Sequence, residues 1–352
     1  MRPEALKKLM EGTVIPAFPL ALNEDRTFNE TYQRALIRYY LDAGVGGLAV
    51  GVHTTQFAIR DPHIGLYEPL IRIGNEEVEA FEKRTGKTII KIAGVCGPIE
   101  QAVKEASLAK GQGYDAVLLS TGGLPSYSEE MLLERAGIVA DILPVIGFYL
   151  QPSVGGRVLS YDYWSRLCEL DRLVAIKAAP FNRYQTLDVV RAAAFSSRSG
   201  SIALYTGNDD NIVVDLLSTY RFEKDNKIYE KRFIGGLLGH WSMWTRTVVE
   251  IFEKLKKASA QEAIPRELLT LANQITDCNA AFFDVANGFK GVIPGVHEVL
   301  RRQGLLKGIW CLDPEETLSP GQAEEIDRVY RMYPQLNDDR FVRENLDKWL
   351  GK

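Results

Sequence analysis

Eight short apolar runs, spaced almost evenly, constrain this chain more than any other feature. They start at residues 13, 46, 88, 115, 144, 173, 201 and 233. Thr13–Phe18, Gly46–Gly51, Thr88–Ala93, Asp115–Ser120, Pro144–Tyr149, Leu173–Lys177, Ser201–Tyr205 and Phe233–Leu238 are too short for helices. They are also too continuously apolar for strands with one wet face, so they read as parallel strands covered on the outside. Between them lie segments with helical spacing of apolar residues: Phe28–Ala43, Ile99–Lys110, Glu129–Asp141, Tyr161–Leu170, Thr186–Phe195 and Asn211–Tyr220. Repeated strand–helix units point to an α/β architecture, and eight of them to a (β/α)8 TIM barrel. A doubly wound sheet lacks its mark here, since no Gly-x-Gly-x-x-Gly follows the first run. After about residue 240 the strand pattern ends. Trp241–Lys257 reads as the eighth barrel helix, and Ser259–Ala286, Val296–Arg302, Gly321–Met332 and Asp338–Leu350 read as mostly helical. The expected organisation is a barrel with an N-terminal helix over residues 1–257, and a C-terminal helical extension over 258–352 packed on it.

Composition narrows the function. The 352 residues are 46% apolar and 25% charged, with a net charge of −4. Those are globular values, and the mild acidity argues against a nucleic-acid partner. Cys96, Cys168, Cys278 and Cys311 form no Cys-x-x-Cys pair, which suits reduced thiols in a cytoplasmic protein. Met1–Met10 has no signal-like apolar core, and no run reaches the ~18 apolar residues of a membrane helix. The four histidines, His53, His63, His240 and His297, have none of the usual zinc or iron spacings, so neither a metal nor a cofactor is expected.

In a barrel of this kind reactive groups sit at the C-terminal ends of the strands. Lys177 ends Leu173–Ile176 and is followed by Ala178-Ala179-Pro180. An ammonium among apolar neighbours has its pKa lowered, and the neutral amine attacks carbonyls to form imines. A rim lysine that snorkels to water is the plain alternative. Tyr149 ends the fifth run, where a phenol can relay protons or simply fill a gap. The loop Gly51-Val52-His53-Thr54-Thr55-Gln56 offers hydroxyls and amides to a carboxylate, and His53 can carry protons; capping of the next helix explains the threonines equally well. Gly207, in Gly207-Asn208-Asp209-Asp210, and Gly235-Gly236 would let a ligand approach the backbone, or relieve crowding.

The ordered set resembles the dihydrodipicolinate synthase / N-acetylneuraminate lyase family of class I, Schiff-base-forming pyruvate aldolases. The motifs are Val174-Ala175-Ile176-Lys177, Tyr149-Leu150-Gln151-Pro152, His53-Thr54-Thr55-Gln56 and Thr206-Gly207-Asn208-Asp209-Asp210. The resemblance implies a lyase in which Lys177 forms an imine with a 2-oxo acid. Tyr149 relays protons with Thr54 as hydroxyl partner. Thr55, with backbone amides of its own loop and of strand eight near Ile234, holds the carboxylate. His53, Gly207 and Gly235 complete the substrate site. It further implies 2-oxo acid and aldehyde substrates and a homo-oligomer, tetramer or dimer.

The departures from the family pattern are specific. Val154 stands where family members that make dihydrodipicolinate carry an arginine, and Arg157 lies three residues further on. Thr121-Gly122-Gly123-Leu124 replaces Thr-Pro-Tyr-Tyr, and His53 and Gln56 replace two loop glycines. The expectation is therefore an aldolase, hydratase-aldolase or dehydratase acting on pyruvate or another 2-oxo acid, outside lysine biosynthesis. Two other readings remain: a barrel enzyme binding a phosphorylated ligand near strands seven and eight, and a non-catalytic 2-oxo-acid-binding barrel.

Overall fold

Strands buried on both faces have no wet side, and here they close on themselves. In the computed structural model, which describes residues 1–352, the first seven strands are β1 (Val14–Pro16), β2 (Gly47–Val50), β3 (Ile90–Val95), β4 (Ala116–Leu119), β5 (Val145–Leu150), β6 (Leu173–Ala179) and β7 (Ala203–Thr206). An antiparallel hairpin follows, β8 (Tyr220–Lys224) and β9 (Lys227–Lys231), and then the eighth barrel strand, β10 (Phe233–Leu238). From β2 to β7 each strand pairs in parallel with the next, and β10 joins β7 to β1. A parallel bridge between Ala17 and Ala49 brings β1 to β2, with the Phe18 N–H donating to the Ala49 carbonyl at 3.1 Å. The fold is a nearly closed (β/α)8 barrel with additional C-terminal helices.

Two apolar layers hold it. An inner one fills the barrel with Ile15, Ile92, Leu118, Ile146, Phe148 and Tyr205, among others. A larger outer one lies between the strands and the surrounding helices. Those helices are α2 (Glu30–Ala43), α3 (Tyr67–Thr85), α4 (Ile99–Gly111), α5 (Glu129–Ile142), α6 (Tyr161–Cys168), α7 (Arg183–Phe195), α8 (Ile212–Leu217) and α9 (Thr245–Ala258). They begin where side chains can take up free N–H groups: Asn29, Ser128, Ser160 and Asn182 each accept from a first-turn amide. The N-terminal helix α1 (Pro3–Glu11) corks the bottom of the barrel. Its Ala5 and Leu9 join the inner layer, and the Tyr205 hydroxyl donates to the Leu9 carbonyl at 2.8 Å.

Two elements differ from expectation. The long interval between the second and third strands contains α3, whose Leu70, Ile71, Ile73, Val78 and Phe81 face the core. The helix expected over Asn211–Tyr220 stops at Leu217, because Tyr220 opens the β8–β9 hairpin. Its turn residues Asp225 and Asn226 have φ of 53° and 59°. Two successive left-handed residues match the twist of a tight hairpin.

The last part of the chain forms α10 (Glu267–Phe282), α11 (Val292–Arg302), α12 (Gln322–Met332) and α13 (Asp339–Leu350). These helices are tied to the barrel at several points. The Arg38 guanidinium donates to the Trp349 carbonyl at 2.8 Å, and the Tyr39 hydroxyl to Asp338 at 2.7 Å. No helix is long and apolar enough to cross a membrane.

Candidate active site

Register decides which strand-end side chains meet. Phe148 lies opposite Lys177, and Tyr149 opposite Ala178. Successive side chains of a strand point to opposite faces. Phe148, Leu150, Ala175 and Ala179 point into the barrel, whereas Tyr149 and Ala178 belong to the outer layer. Lys177 shares the inward parity of Ala175 and Ala179, and it lines a cavity of about 60 Å³ at the C-terminal mouth. That is several times the space one water needs.

Lys177 is 7% exposed, and its Nζ stands 4.4 Å from the centroid of the Phe148 ring. Burial lowers its pKa below the usual lysine value, and the charge of Asp209 works against that drop. Space for the side chain comes from Gly207. A Cβ there would lie 2.6 Å from Lys177 Cε and 2.7 Å from Ala179 Cβ.

Asp209 shares the cavity and is the site residue that motif reasoning passed over, although it stands in the turn that supplied Gly207. Burial raises its carboxyl above the usual range, while the His240 N–H, donating at 2.9 Å, and the charge of Lys177 oppose the rise. The turn is braced from α10. The Asn279 amide nitrogen donates to the Asp209 carbonyl at 2.6 Å, and the Asn279 oxygen lies 2.6 Å from His240 Nδ1. Because that oxygen can only accept, His240 carries its proton on Nδ1. Burial pushes His240 down to about 4, so the ring is neutral near pH 7.

The loop after β2 splits in its use. His53 and Thr54 line the cavity. Burial, helped by the nearby Lys177 charge, pushes His53 down to about 4. Thr54 is 4% exposed, and its Oγ1 has no hydrogen-bond partner. Thr55 does not reach the cavity. Its hydroxyl donates to the Phe18 carbonyl at 2.6 Å and accepts from the Gly51 and Val52 N–H groups at 3.1 Å each, so it ties the loop together.

Two further expectations are corrected, one for Tyr149 and one for Ile234 and Gly235. Tyr149 faces the helix layer, stacked on Trp164 at 5.1 Å, with its hydroxyl accepting from the Leu159 N–H at 3.3 Å. Strand parity is the reason: the inward places at this end of β5 go to Phe148 and Leu150, and the barrel end carries no phenol there. Ile234 and Gly235 lie at the opposite, N-terminal end of the barrel. A Cβ on Gly235 would meet the Tyr205 ring at 2.5 Å and the Thr13 backbone, and the Ile234 carbonyl crowds Gly12. The residue of this strand's far end that does line the cavity is Gly239. Arg157 does not line the cavity; it donates to the Leu124 and Tyr127 carbonyls at 3.2 and 2.7 Å.

The extension contributes directly. Phe283, Phe289 and Val292, from the turn between α10 and α11 and the start of α11, roof the cavity. Asp284 shapes that turn, with one carboxylate oxygen accepting from the Gly291 N–H at 2.9 Å. The Leu312 N–H donates to the Gln56 side chain at 2.6 Å, which ties the extension to the β2 loop. The apolar pattern of this region shows in the sequence, but nothing local in it says that the pattern faces a ligand cavity.

Fold and site together define a barrel enzyme arranged around one buried amine and one buried carboxyl at the strand ends. The model of the dihydrodipicolinate synthetase family matches residues 10–219. The chain belongs to that family, whose members are lyases of class I aldolase type. No curated protein matches the sequence closely enough to count as a relative. Solved structures share the fold. Dihydrodipicolinate synthase from Oceanobacillus iheyensis superposes with a TM-score of 0.73 at 15% identity, covering 94% of this chain and 99% of its own. N-acetylneuraminate lyase from Fusobacterium nucleatum gives 0.70 at 18% identity, covering 92% and 99%. The prophage protein YagE from E. coli K12, solved in complex with pyruvate, gives 0.72 at 16% identity, covering 94% and 99%.

Proposed function

We propose that the protein is a Schiff-base-forming lyase acting on pyruvate or another 2-oxo acid, outside lysine biosynthesis, with Lys177 as the imine-forming residue. The observation that carries this reading is the Lys177 amine, buried at the barrel mouth with its pKa lowered and a buried carboxyl in the same cavity. The neutral amine attacks C2 of the 2-oxo acid, forming a C–N bond. The attacking nitrogen gives up one proton to the C2 oxygen and Asp209, protonated, gives it a second, so that oxygen leaves as water. The products are an iminium on Lys177 and the Asp209 carboxylate, whose charges compensate each other. The iminium then takes up the electron pair of the C3–C4 bond as an aldehyde departs, or the enamine gives that pair back in the reverse direction.

Thr54, buried with a free hydroxyl, is the group offered to the substrate carboxylate or C2 oxygen. His53, neutral, is a hydrogen-bonding neighbour rather than a charge. Gly207 and Gly239 allow close approach to the backbone. The phosphate-ligand reading is disfavoured by the acid at the strand-seven turn, since Asp209 would meet the phosphate. Four free cysteines suit a reducing, cytoplasmic setting. The same reading divides the chain into a barrel, 1–257, and an extension, 258–352, whose turn over residues 283–292 completes the site, in a homo-oligomer.

The test is reductive trapping. The protein is incubated with pyruvate and borohydride, and its peptides are mapped by mass spectrometry. The expected result is one stable adduct on Lys177, absent in Lys177→Ala. Full retention of turnover in that variant would overturn the reading.

A further inference from the structure

Resting on the imine reading above, we propose that the site selects 2-oxo acids whose far end is apolar and excludes those that carry a second carboxylate. Beyond the Lys177 amine the walls are mostly apolar, with Leu150, Val154, Phe181, Phe283, Phe289 and Val292, and Gln151 as a neutral polar neighbour. Phe181 and Phe289 meet edge to face at 5.8 Å. Both hold left-handed backbone conformations, with φ of 52° and 68°. Each is pinned there: the Phe181 N–H donates to the buried Asn208 side chain at 3.1 Å, and the Phe289 N–H to the Asp284 carbonyl at 3.0 Å. Two bulky residues held in an unfavourable backbone region mark a surface that the surrounding structure over-determines.

The charges point the same way. Lys177 and Asp209 are the only Lys, Arg, Asp or Glu residues lining the cavity. Once Lys177 is the imine nitrogen, no cation remains for a distal carboxylate. Arg157 is engaged by the Leu124 and Tyr127 carbonyls and does not line the cavity, whereas Val154 does. A second carboxylate would therefore be desolvated without a cationic partner, with only the neutral His53, Thr54 and Gln151 side chains to receive it, and would share the cavity with Asp209. An apolar group of the same size would exchange water for aromatic contact.

The test uses a nearly isosteric pair on the full-length protein. 2-Oxoglutarate and 4-methyl-2-oxopentanoate have the same main-chain length and differ beyond C3, where the first carries a carboxymethyl and the second an isopropyl group. Each is trapped with borohydride over a concentration series, with pyruvate alongside, and the Lys177 adduct is quantified by mass spectrometry. The expected half-saturating concentration for 4-methyl-2-oxopentanoate is lower by about 100-fold. Val154→Arg, which places a cation in the wall, should cut that ratio at least about tenfold, with a melting curve reporting its fold. Equal or better trapping of 2-oxoglutarate by the unaltered protein overturns apolar selection while pyruvate labelling leaves the imine reading standing. Absence of a Lys177 adduct with all three acids overturns the imine reading, and the selectivity with it.

Discussion

Replacing Gly207 with alanine tests how tightly the Lys177 amine is seated. The added Cβ would lie 2.6 Å from Lys177 Cε, 3.1 Å from Lys177 Cγ and 2.7 Å from Ala179 Cβ. Carbon atoms in contact rest at about 3.5–4.0 Å. Ala179 belongs to a paired strand and yields little, so the lysine side chain must move by about 1 Å. Overpacking of this kind destabilises by roughly 1–3 kcal/mol. A displacement of about 1 Å at a reacting atom can lower the rate about 100-fold. Gly207→Ala should therefore fold, melt slightly early and lose about two orders of magnitude in the rate of pyruvate trapping on Lys177. Gly137→Ala is the control. Gly137 lies within α5 with nothing within 4 Å of an added Cβ, so the change should stabilise by about 0.5–1 kcal/mol. Stopped-time borohydride trapping and urea titration read the two quantities. Unchanged trapping in a folded Gly207→Ala protein would refute the claim that this glycine makes room for the amine.

Other expectations follow from groups around the mouth. Tyr149→Phe removes an acceptor from the buried Leu159 N–H, so urea unfolding should show a loss of about 1–3 kcal/mol, while kcat stays within about twofold of the unaltered enzyme. A kcat loss beyond about 100-fold would restore the relay role to that phenol. Arg60 donates to Glu105 at 2.9 Å and to the Gly51 and Gly94 carbonyls, all in a nearly dry setting. Arg60→Met should destabilise by about 3–5 kcal/mol, and pairing it with Glu105→Leu should recover much of the loss. His240 and His297 are both pushed by burial from 6.5 to about 4. Below pH 6.5 the unfolded chain takes up protons that the folded histidines refuse until about pH 4. Stability therefore falls on acidification across that window, by an amount of the order of 3 kcal/mol per histidine. Urea midpoints measured from pH 7 to pH 4 should fall, and His297→Gln should flatten the slope.

The barrel is legible in the sequence because it is written in a period that burial enforces. Strands covered on both faces must be apolar throughout, and all eight runs carry that stamp. The C-terminal helices are legible for the matching reason, as in Gln322–Met332 with Ile326 and Val329 inward. The helix over Tyr67–Thr85 is missed only by attention to its neighbours, since Leu70, Ile71, Val78 and Phe81 carry helical spacing. Lys177 is found because a charge at the end of an apolar run is unusual. Tyr149 is misplaced for a physical reason: motif and strand end locate a residue along a strand, but inward or outward depends on a one-residue parity. The alternation Ile146, Phe148, Leu150 holds that parity, and it becomes decisive only once Phe148 is seen opposite Lys177. Thr54 and Thr55 pose the same problem within one turn of 3-10 helix, where adjacent hydroxyls serve a cavity and a carbonyl respectively. The roof is the least legible part. Phe289 is distant from Lys177 in the chain, and an aromatic side chain over a ligand looks, in sequence, like any other core residue.

The aromatic roof also fixes when, during its own synthesis, the chain could begin to act. A ribosome delivers all eight strands before it delivers residues 283–292, so the strands that carry the site exist before the ceiling that covers it. On the imine reading, the Lys177 amine then lacks the share of its desolvation that Phe283, Phe289 and Val292 supply, so its proton is held more tightly than in the full chain. On that reading, full competence waits for the final helices to cover the opening. A product stopped before residue 283 would, on the same reading, condense with carbonyl compounds more slowly than the full chain.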